Sequence, residues 1–414
     1  MSSSAGWKTV TVDDVKSSVP GSISIGPFGS RMKADLYVDS GVPVIRGQNI
    51  SSTQRFTNDF VFVSEETAAG LRSSLVTSND LVFPHRGLIG LVGIVPTSDE
   101  GFGTRFILST SLMKLTCDTQ IVDPGFVFYF FRSPQGQEEI LRFASTVGTP
   151  GIGQPLASLR SMRLPLPPLQ EQGAIVEVLS ALDAKIELNR KMNDTLEALA
   201  EMALLNACQH SSEKRRIDTL ATLSRDSIDP RSLGETLVEH FSLPAFDNSG
   251  LAIIEPASGI KSGKLRVPMN SVLVSKLNPR IPRVWLPSPS GNGIQAVAST
   301  EWLVLQPSSN VARSVLYTLF RSSEMTRQLS ARVTGTTGSH QRVRPDDVMA
   351  IEVRVPKADQ LKSLVQRIEP FYELVMGNTR ESQILVHLRN TLLPKLVSGE
   401  IRIDSAEKKV KAAV

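Results

Sequence analysis

The sequence predicts an α+β protein made by internal duplication, with two similar, mixed but strand-rich domains separated by two long helices that pair as an antiparallel coiled coil in pseudo-two-fold fashion. Three observations carry this reading: short features recur about 190 residues apart, an apolar seam of coiled-coil period appears twice, and prolines close each strand-rich stretch. The recurrences are specific. Ser109-Thr110 returns as Ser299-Thr300, Phe131-Arg132-Ser133 as Phe320-Arg321-Ser322, and Pro167 as Pro356. Gly148-Thr149, Gly151 and Gln154 return as Gly335-Thr336, Gly338 and Gln341, at a constant offset of 187 residues. Solenoid repeats run roughly 20 to 50 residues, so a period this long marks a duplicated domain.

Bulk properties agree. A chain of 414 residues, 41% hydrophobic and 21% charged, has room for two ordinary cores. The longest apolar run, Phe126 to Phe131, is too short to span a bilayer, and Met1-Ser2-Ser3-Ser4 lacks the charged-then-apolar layout of a signal peptide. A cytoplasmic location, away from membranes, is expected. Cys117 and Cys208 have neither CxxC spacing nor related contexts, which argues against a disulfide framework or a zinc site. A net charge of +4 fits a polyanionic partner without requiring one.

Taken in order, residues 1–167 form the first domain. Its β-rich runs are Val42 to Ile45, Leu81 to Phe83, Ile89 to Val95 and Phe106 to Leu115, interrupted by one helical stretch from Pro124 to Arg142. Pro165, Pro167 and Pro168 stop the strand pattern, and a helix is expected over 168–210. The second domain, 211–356, repeats the scheme with strands at Val272 to Val274, Val284 to Leu286 and Trp302 to Leu305 and a helix from Ala312 to Ala331. A second long helix is expected over 357–404, kinked or divided early by Pro370, followed by a flexible tail at 405–414.

The seam of the first long helix steps through Ile175, Leu179, Leu182, Ile186, Asn189, Asn193 and Leu196, that of the second through Leu361, Val365, Ile368, Tyr372, Val375 and Thr379. Antiparallel pairing brings Asn189 and Asn193 opposite Thr379 and Ser382, so that buried amides meet hydroxyls; the alternative is that these polar groups face water.

An enzyme needs a site, and the residues offer none. Asn278-Pro279-Arg280 lacks the second proline and the aromatic of an amino-methyltransferase segment. Pro345-Asp346 with Glu352-Val353-Arg354 puts arginine where a PD-ExK nuclease core has lysine, and the matching stretch Leu156 to Leu166 carries no carboxylate. There is no phosphate-binding glycine loop, metal-spaced histidine pair or nucleophile elbow.

At Gly26-Pro27-Phe28-Gly29-Ser30, Gly41-Val42-Pro43-Val44-Ile45-Arg46-Gly47-Gln48-Asn49-Ile50 and Pro167-Pro168-Leu169-Gln170-Glu171-Gln172, the chain resembles the specificity subunit of type I restriction-modification systems. The likeness continues through Ile186-Glu187-Leu188-Asn189-Arg190 and Leu392-Leu393-Pro394-Lys395-Leu396-Val397-Ser398-Gly399-Glu400-Ile401, and covers essentially the whole chain. The second long helix departs from the pattern, with Val375-Met376-Gly377 where the first has Asn189-Arg190-Lys191. The resemblance implies a non-catalytic, prokaryotic DNA-reading subunit whose two target-recognition domains each read half of a split, asymmetric double-stranded DNA target. It implies two modification subunits that methylate adenine, and restriction subunits that translocate and cut DNA. No cofactor would be bound by this chain; S-adenosylmethionine would belong to the modification subunit and ATP with magnesium to the restriction subunit. Two other readings remain: a specificity subunit of a related restriction-modification class, and a coiled-coil scaffold that binds protein alone.

Candidate DNA contacts are polar residues near loops and strand ends. In the first domain these are Arg31, Lys33, Arg46, Gln48, Asn49, His85, Arg86 and Arg105; arginine suits guanine and Gln or Asn suits adenine, although the Arg46 to Asn49 stretch reads equally well as a folding motif. In the second they are Lys261, Lys264, Lys276, Asn278, Arg280, Arg283, Arg342 and Arg344. His85-Arg86 and Lys276-Leu277 align at an offset of 191, placing a basic residue after a strand in both repeats. The turns holding Thr149 and Gly151, and Thr336 and Gly338, are candidates for offering backbone amides to phosphate.

Overall fold

The computed structural model describes residues 6–28, 31–50, 56, 59–97, 103, 105–145, 150–209, 211–289, 291, 293–334, 341–406 and 408. The chain divides into two compact units. Unit 1 is Met1–Glu187 with Ile384–Val414, and unit 2 is Leu188–Gln383, so each long helix gives part of its length to each unit.

In unit 1, Lys8–Thr11 pairs antiparallel with Arg163–Leu166, tying the two ends of the strand-rich stretch together. A four-stranded sheet follows the order Ile23–Ile25, Leu112–Leu115, Leu81–Pro84, Gly93–Ile94. A five-stranded sheet runs Tyr37–Val38, Val61–Val63, Val42–Ile45, Phe106–Leu108, Leu75–Val76, with one parallel pair between Val42–Ile45 and Phe106–Leu108. The runs Val42–Ile45 and Leu81–Pro84 are buried at every position, as continuous apolar stretches covered on both faces must be. The apolar run expected from Phe106 to Leu115 is two strands in different sheets, because Ser109-Thr110-Ser111 turns between them.

Unit 2 repeats this topology. Its four-stranded sheet is Ala221–Ser224, Trp302–Pro307, Val272–Ser275, Val284–Trp285. The five-stranded sheet runs Ile253–Pro256, Leu237–Phe241, Gln295–Ser299, Lys264–Arg266, Ser227–Ile228, again with one parallel pair, here Leu237–Phe241 with Gln295–Ser299. Four strands of the five correspond between units; the fifth is added at opposite edges.

The single helix expected in each repeat is two. Pro124–Arg132 breaks at Ser133 before Pro134–Leu141, and Arg313–Arg321 breaks at Ser322 before Ser323–Ser330. Pro134 disfavours a helical Ser133, but Ser322 has no proline after it and does the same. The hydroxyl is the shared cause. Ser133 Oγ donates to Phe130 O (2.6 Å) and accepts from Gly136 N (3.2 Å); Ser322 Oγ donates to Leu319 O (2.7 Å) and accepts from Met325 N (3.2 Å). One side chain thus ends one helix and caps the next.

The long helices are Leu169–Cys208 and Ala358–Val397. Within unit 1, Ile175, Leu179 and Leu182 bury against Leu385, Leu392 and Leu396 in one core, with Ile186 at its edge, and Arg389 donates to Asp183 at 2.7 Å. Within unit 2, Leu196, Ala200 and Ala203 share a core with Leu361, Val365, Ile368, Tyr372 and Val375. Within each unit the pairing is antiparallel, and in unit 2 the polar residues of the two helices face one another. Asn189 Nδ2 reaches Glu381 Oε2 (2.8 Å) and Ser382 Oγ (3.3 Å), while Asn193 accepts from Asn378 Nδ2 (2.8 Å) and approaches Thr379 Oγ1 (3.5 Å).

Two expectations are corrected. The second long helix is not divided at Pro370: the residue is exposed, so its ring lies on the solvent side and only one helical hydrogen bond is forgone. The expected tail starts too early, since residues 403–406 are helical and Ala406 is fully buried in the unit 1 core.

Candidate nucleic-acid interface

In unit 1, strand Leu81–Pro84 runs on into His85 and Arg86, where the returning segment 150–152 crosses it. Gly87 N donates to Pro150 O (3.0 Å), Ile152 N to His85 O (2.9 Å), and His85 N to Ser111 O (2.9 Å). Unit 2 makes the same three bonds after strand Val272–Ser275. Asn278 N donates to Gln341 O (2.8 Å), Val343 N to Lys276 O (3.1 Å), and Lys276 N to Glu301 O (2.9 Å). The strand ends therefore correspond at the offset of 191 read from His85 and Lys276. The offset of 187 read from the glycines fails here: Gln341 takes the place of Pro150, and Arg342 that of Gly151. Identical letters four residues out of register misled, because the backbone crossing tolerates any side chain.

On this common scaffold the side chains differ. In unit 1, a cavity of 500 Å³ opens between Ile25, Gly26, Phe28, His85, Arg86, Thr110 and the segment Ile152 to Ala157. Gly26 is required there, since a Cβ would lie 1.8 Å from Ser109 O. His85 is buried, its Nε2 3.1 Å from Thr110 O, and burial depresses its pKa below the ordinary histidine value. A neutral ring with Nε2 donating follows, while Arg86 beside it stays exposed. In unit 2 the positions that match Gly151 and Ser111 carry a bidentate ion pair, Arg342 Nε and Nη2 each 3.0 Å from a Glu301 oxygen. That hydrogen bonding, helped by the charge of the half-buried Lys276, holds the Glu301 carboxyl below its usual range. Asn278 takes a left-handed backbone (φ 47°), which Asn tolerates better than most residues, and turns the chain toward exposed Arg280. Exposed Arg344 immediately precedes the helix Pro345–Met349 on the same returning segment.

The remaining candidates separate into exposed and committed groups. Arg31, Lys33 and Lys261, like Arg86, Arg280 and Arg344, are exposed and have no acidic partner among the described residues. Asn49 is corrected: it is 0% exposed, accepts from Arg46 N (2.9 Å) and donates to Asp59 O (2.7 Å), so its amide builds the turn and reads no base. Arg46 and Gln48 also converge on Asp59, at 2.8 Å to its carbonyl and 3.0 Å to its carboxylate. Of the two readings of this stretch, the folding motif describes the structure. Arg105 is held by Glu65 (2.6 Å to both oxygens) and Arg283 by Asp247 (2.5 and 2.9 Å). Lys264 is corrected as well, being buried with its ammonium on Ser262 Oγ at 2.7 Å. Gly151 lies in the short strand Gly151–Ile152, opposite Arg86. Thr149, Thr336 and Gly338 lie outside the described residues.

Sequence reasoning passed over Phe28 and Glu301. Phe28 is 77% exposed at the cavity rim, and its place between Pro27 and Gly29 was the available signal for a presented aromatic. Among the described residues no group of His, Cys, Asp and Glu is arranged to hold a metal ion, and no helix is long and apolar enough to cross a membrane. Both cysteines are buried, and desolvation pushes the Cys117 thiol up to about 12, leaving it inert.

Residues 6–198 match the family model described as the type I restriction modification DNA specificity domain. The first part of the chain, just under half of its length, is therefore similar to that domain. Among specificity subunits, the chain is 26% identical over 173 residues to the type I restriction enzyme MjaVIII specificity subunit of Methanocaldococcus jannaschii, covering 41% of this chain and 39% of that one. It is 34% identical over 99 residues to the HindI specificity subunit of Haemophilus influenzae, covering 23% and 21%. The matches thus span well under half of these relatives' own length. The fold extends further: the crystal structure of a type I restriction-modification S subunit from M. genitalium aligns with a TM-score of 0.51 over 94% of this chain and 96% of that one, at 16% identity.

Proposed function

We propose that this chain is the DNA-reading subunit of a type I restriction-modification complex and performs no covalent chemistry itself. Each unit reads one half of a split, asymmetric double-stranded target, and the helices fix the gap between the two words. The observation that carries this is the duplicated strand-end crossing: one backbone scaffold, built twice, dressed with an open cavity and Arg86 in unit 1 and with Lys276, Arg280 and the Arg342–Glu301 pair in unit 2. Two copies of a reader with different side chains fit two different words. Linking them makes the second encounter intramolecular, which raises affinity and enforces one spacing.

Two modification subunits carrying S-adenosylmethionine would methylate adenine, and restriction subunits using ATP with magnesium would move and cut DNA, all in a prokaryotic cytoplasm. A second apolar stripe supports docking: Leu188, Met192, Leu199 and Met202 are exposed along the central helix at near-heptad steps, outside the buried seam. A protein-only scaffold accounts for that stripe but not for a cation just past the matching strand end of each unit, Arg86 in one and Lys276 in the other.

The test uses the chain purified with its modification subunits and the target found by mapping methylated adenines in host DNA with and without this gene. Protection of one split sequence, lost when the gap changes by a single base pair, is the expected result. Indifference to spacing removes the ruler, and absence of any salt-sensitive DNA affinity returns the chain to the scaffold reading.

A further inference from the structure

The unit 1 cavity lies at the strand-end crossing, where the two repeats carry different side chains on matched backbone positions. Where unit 2 carries Arg342 and Glu301, unit 1 carries Gly151 and Ser111, a hydrogen and a short hydroxyl in place of two long charged side chains. Unit 1 also holds, against His85, Arg86 and Ile152 of this crossing, a 500 Å³ space, inside the range of about 300 to 1,000 Å³ typical of small-molecule sites. Its walls suit a flat heterocycle. Ile25, Ile152 and Leu156 supply apolar surface, and Phe28, 77% exposed, presents a ring face at the rim that no core contact explains. Thr110 and Gln154 bring polar groups to the same space, and Arg86 adds a cation at its edge.

We propose that unit 1 takes one nucleobase of its half-site, swung out of the duplex, into this cavity. Phe28 stacks on the base, Gln154 and Thr110 meet its polar edge, and Arg86 neutralises the adjoining phosphate. Extrusion into a pocket read by stacking and edge hydrogen bonds is the way a protein inspects a base that duplex geometry hides. The inference rests on the DNA-reading function proposed above and adds the manner in which one word is read.

The experiment uses the chain with its modification subunits on its mapped split target, with a fluorescent analogue placed at each half-site position in turn, 2-aminopurine for purines and pyrrolocytosine for pyrimidines. One position other than the methylated adenine should brighten on binding. Phe28→Ala should abolish that brightening and weaken binding by about tenfold, a typical loss for one stacked base. Phe28 is exposed, so the variant leaves the core intact. Ala157→Phe, which fills the cavity from an exposed helix position, should act the same way. If the target is bound but no such position brightens, or if both variants bind and brighten like the parent, the cavity receives no base. Failure of the DNA-reading function is a separate result, since then the parent complex protects no target at all.

Discussion

At the scale of single residues, burial decides which polar groups face outward and which are consumed by the fold. His85 is the clearest case. Its ring is enclosed by the strand-end crossing, hydrogen-bonded to Thr110 O, with Arg86 beside it, and both desolvation and that neighbouring positive charge oppose protonation. The ordinary histidine value is 6.5, and the folded value lies below it. Above pH about 6.5 the ring is neutral in both states and adds no pH dependence; below that the unfolded chain takes up a proton that the folded ring resists, so stability falls with falling pH. His240 is shifted in the same direction by burial, despite Glu255 at 2.7 Å, and contributes a parallel loss in unit 2. Chemical unfolding measured between pH 5.5 and 7.5 should therefore show a loss toward acid that His85→Gln makes smaller. An unchanged slope in that variant would mean the ring carries no linked proton.

At the scale of elements, periodicity was the readable signal and side-chain hydrogen bonds were the unreadable one. The seam from Ile175 to Leu196 could be written down because each apolar residue must return to one face, and the meeting of Asn189 with Ser382 followed from pairing polar layers. The breaks at Ser133 and Ser322 were hidden, since a serine inside an apolar run does not announce which of its neighbours it will cap. The fate of Arg46, Gln48 and Asn49 was hidden for a similar reason: their common partner, Asp59, lies across a stretch with no periodic pattern. Pro370 misled in the opposite sense, because a proline rule weighs the lost hydrogen bond but not the packing of Ile368 and Tyr372 that holds the helix on either side. The cost remains in the helix even though it does not break. Pro370→Ala should stabilise unit 2 by up to about 3 kcal/mol, read as a higher urea midpoint for that unit's transition. A neutral or lower midpoint would show that the helix is curved there to suit its packing.

At the scale of the whole molecule, the functional claim is that helix length is translated into DNA spacing, and it yields a number. One heptad added to an α-helix lengthens it by about 10 Å, close to three base-pair steps at roughly 3.4 Å each. Antiparallel pairing dictates how the heptads must be added. Duplicating Ile186 to Met192 alone would shift one seam past the other and set Asn189 against apolar residues, whereas duplicating Asn378 to Ile384 as well repeats the polar layer on both sides. The doubly extended chain should fold, keep both recognised words and accept a gap about three base pairs longer, as read by mapping methylation in a host that carries it. The singly extended chain should lose the target altogether, with each unit's strand-end crossing intact. Retention of the original gap by the doubly extended chain would mean that DNA bending, rather than helix length, sets the distance between the words.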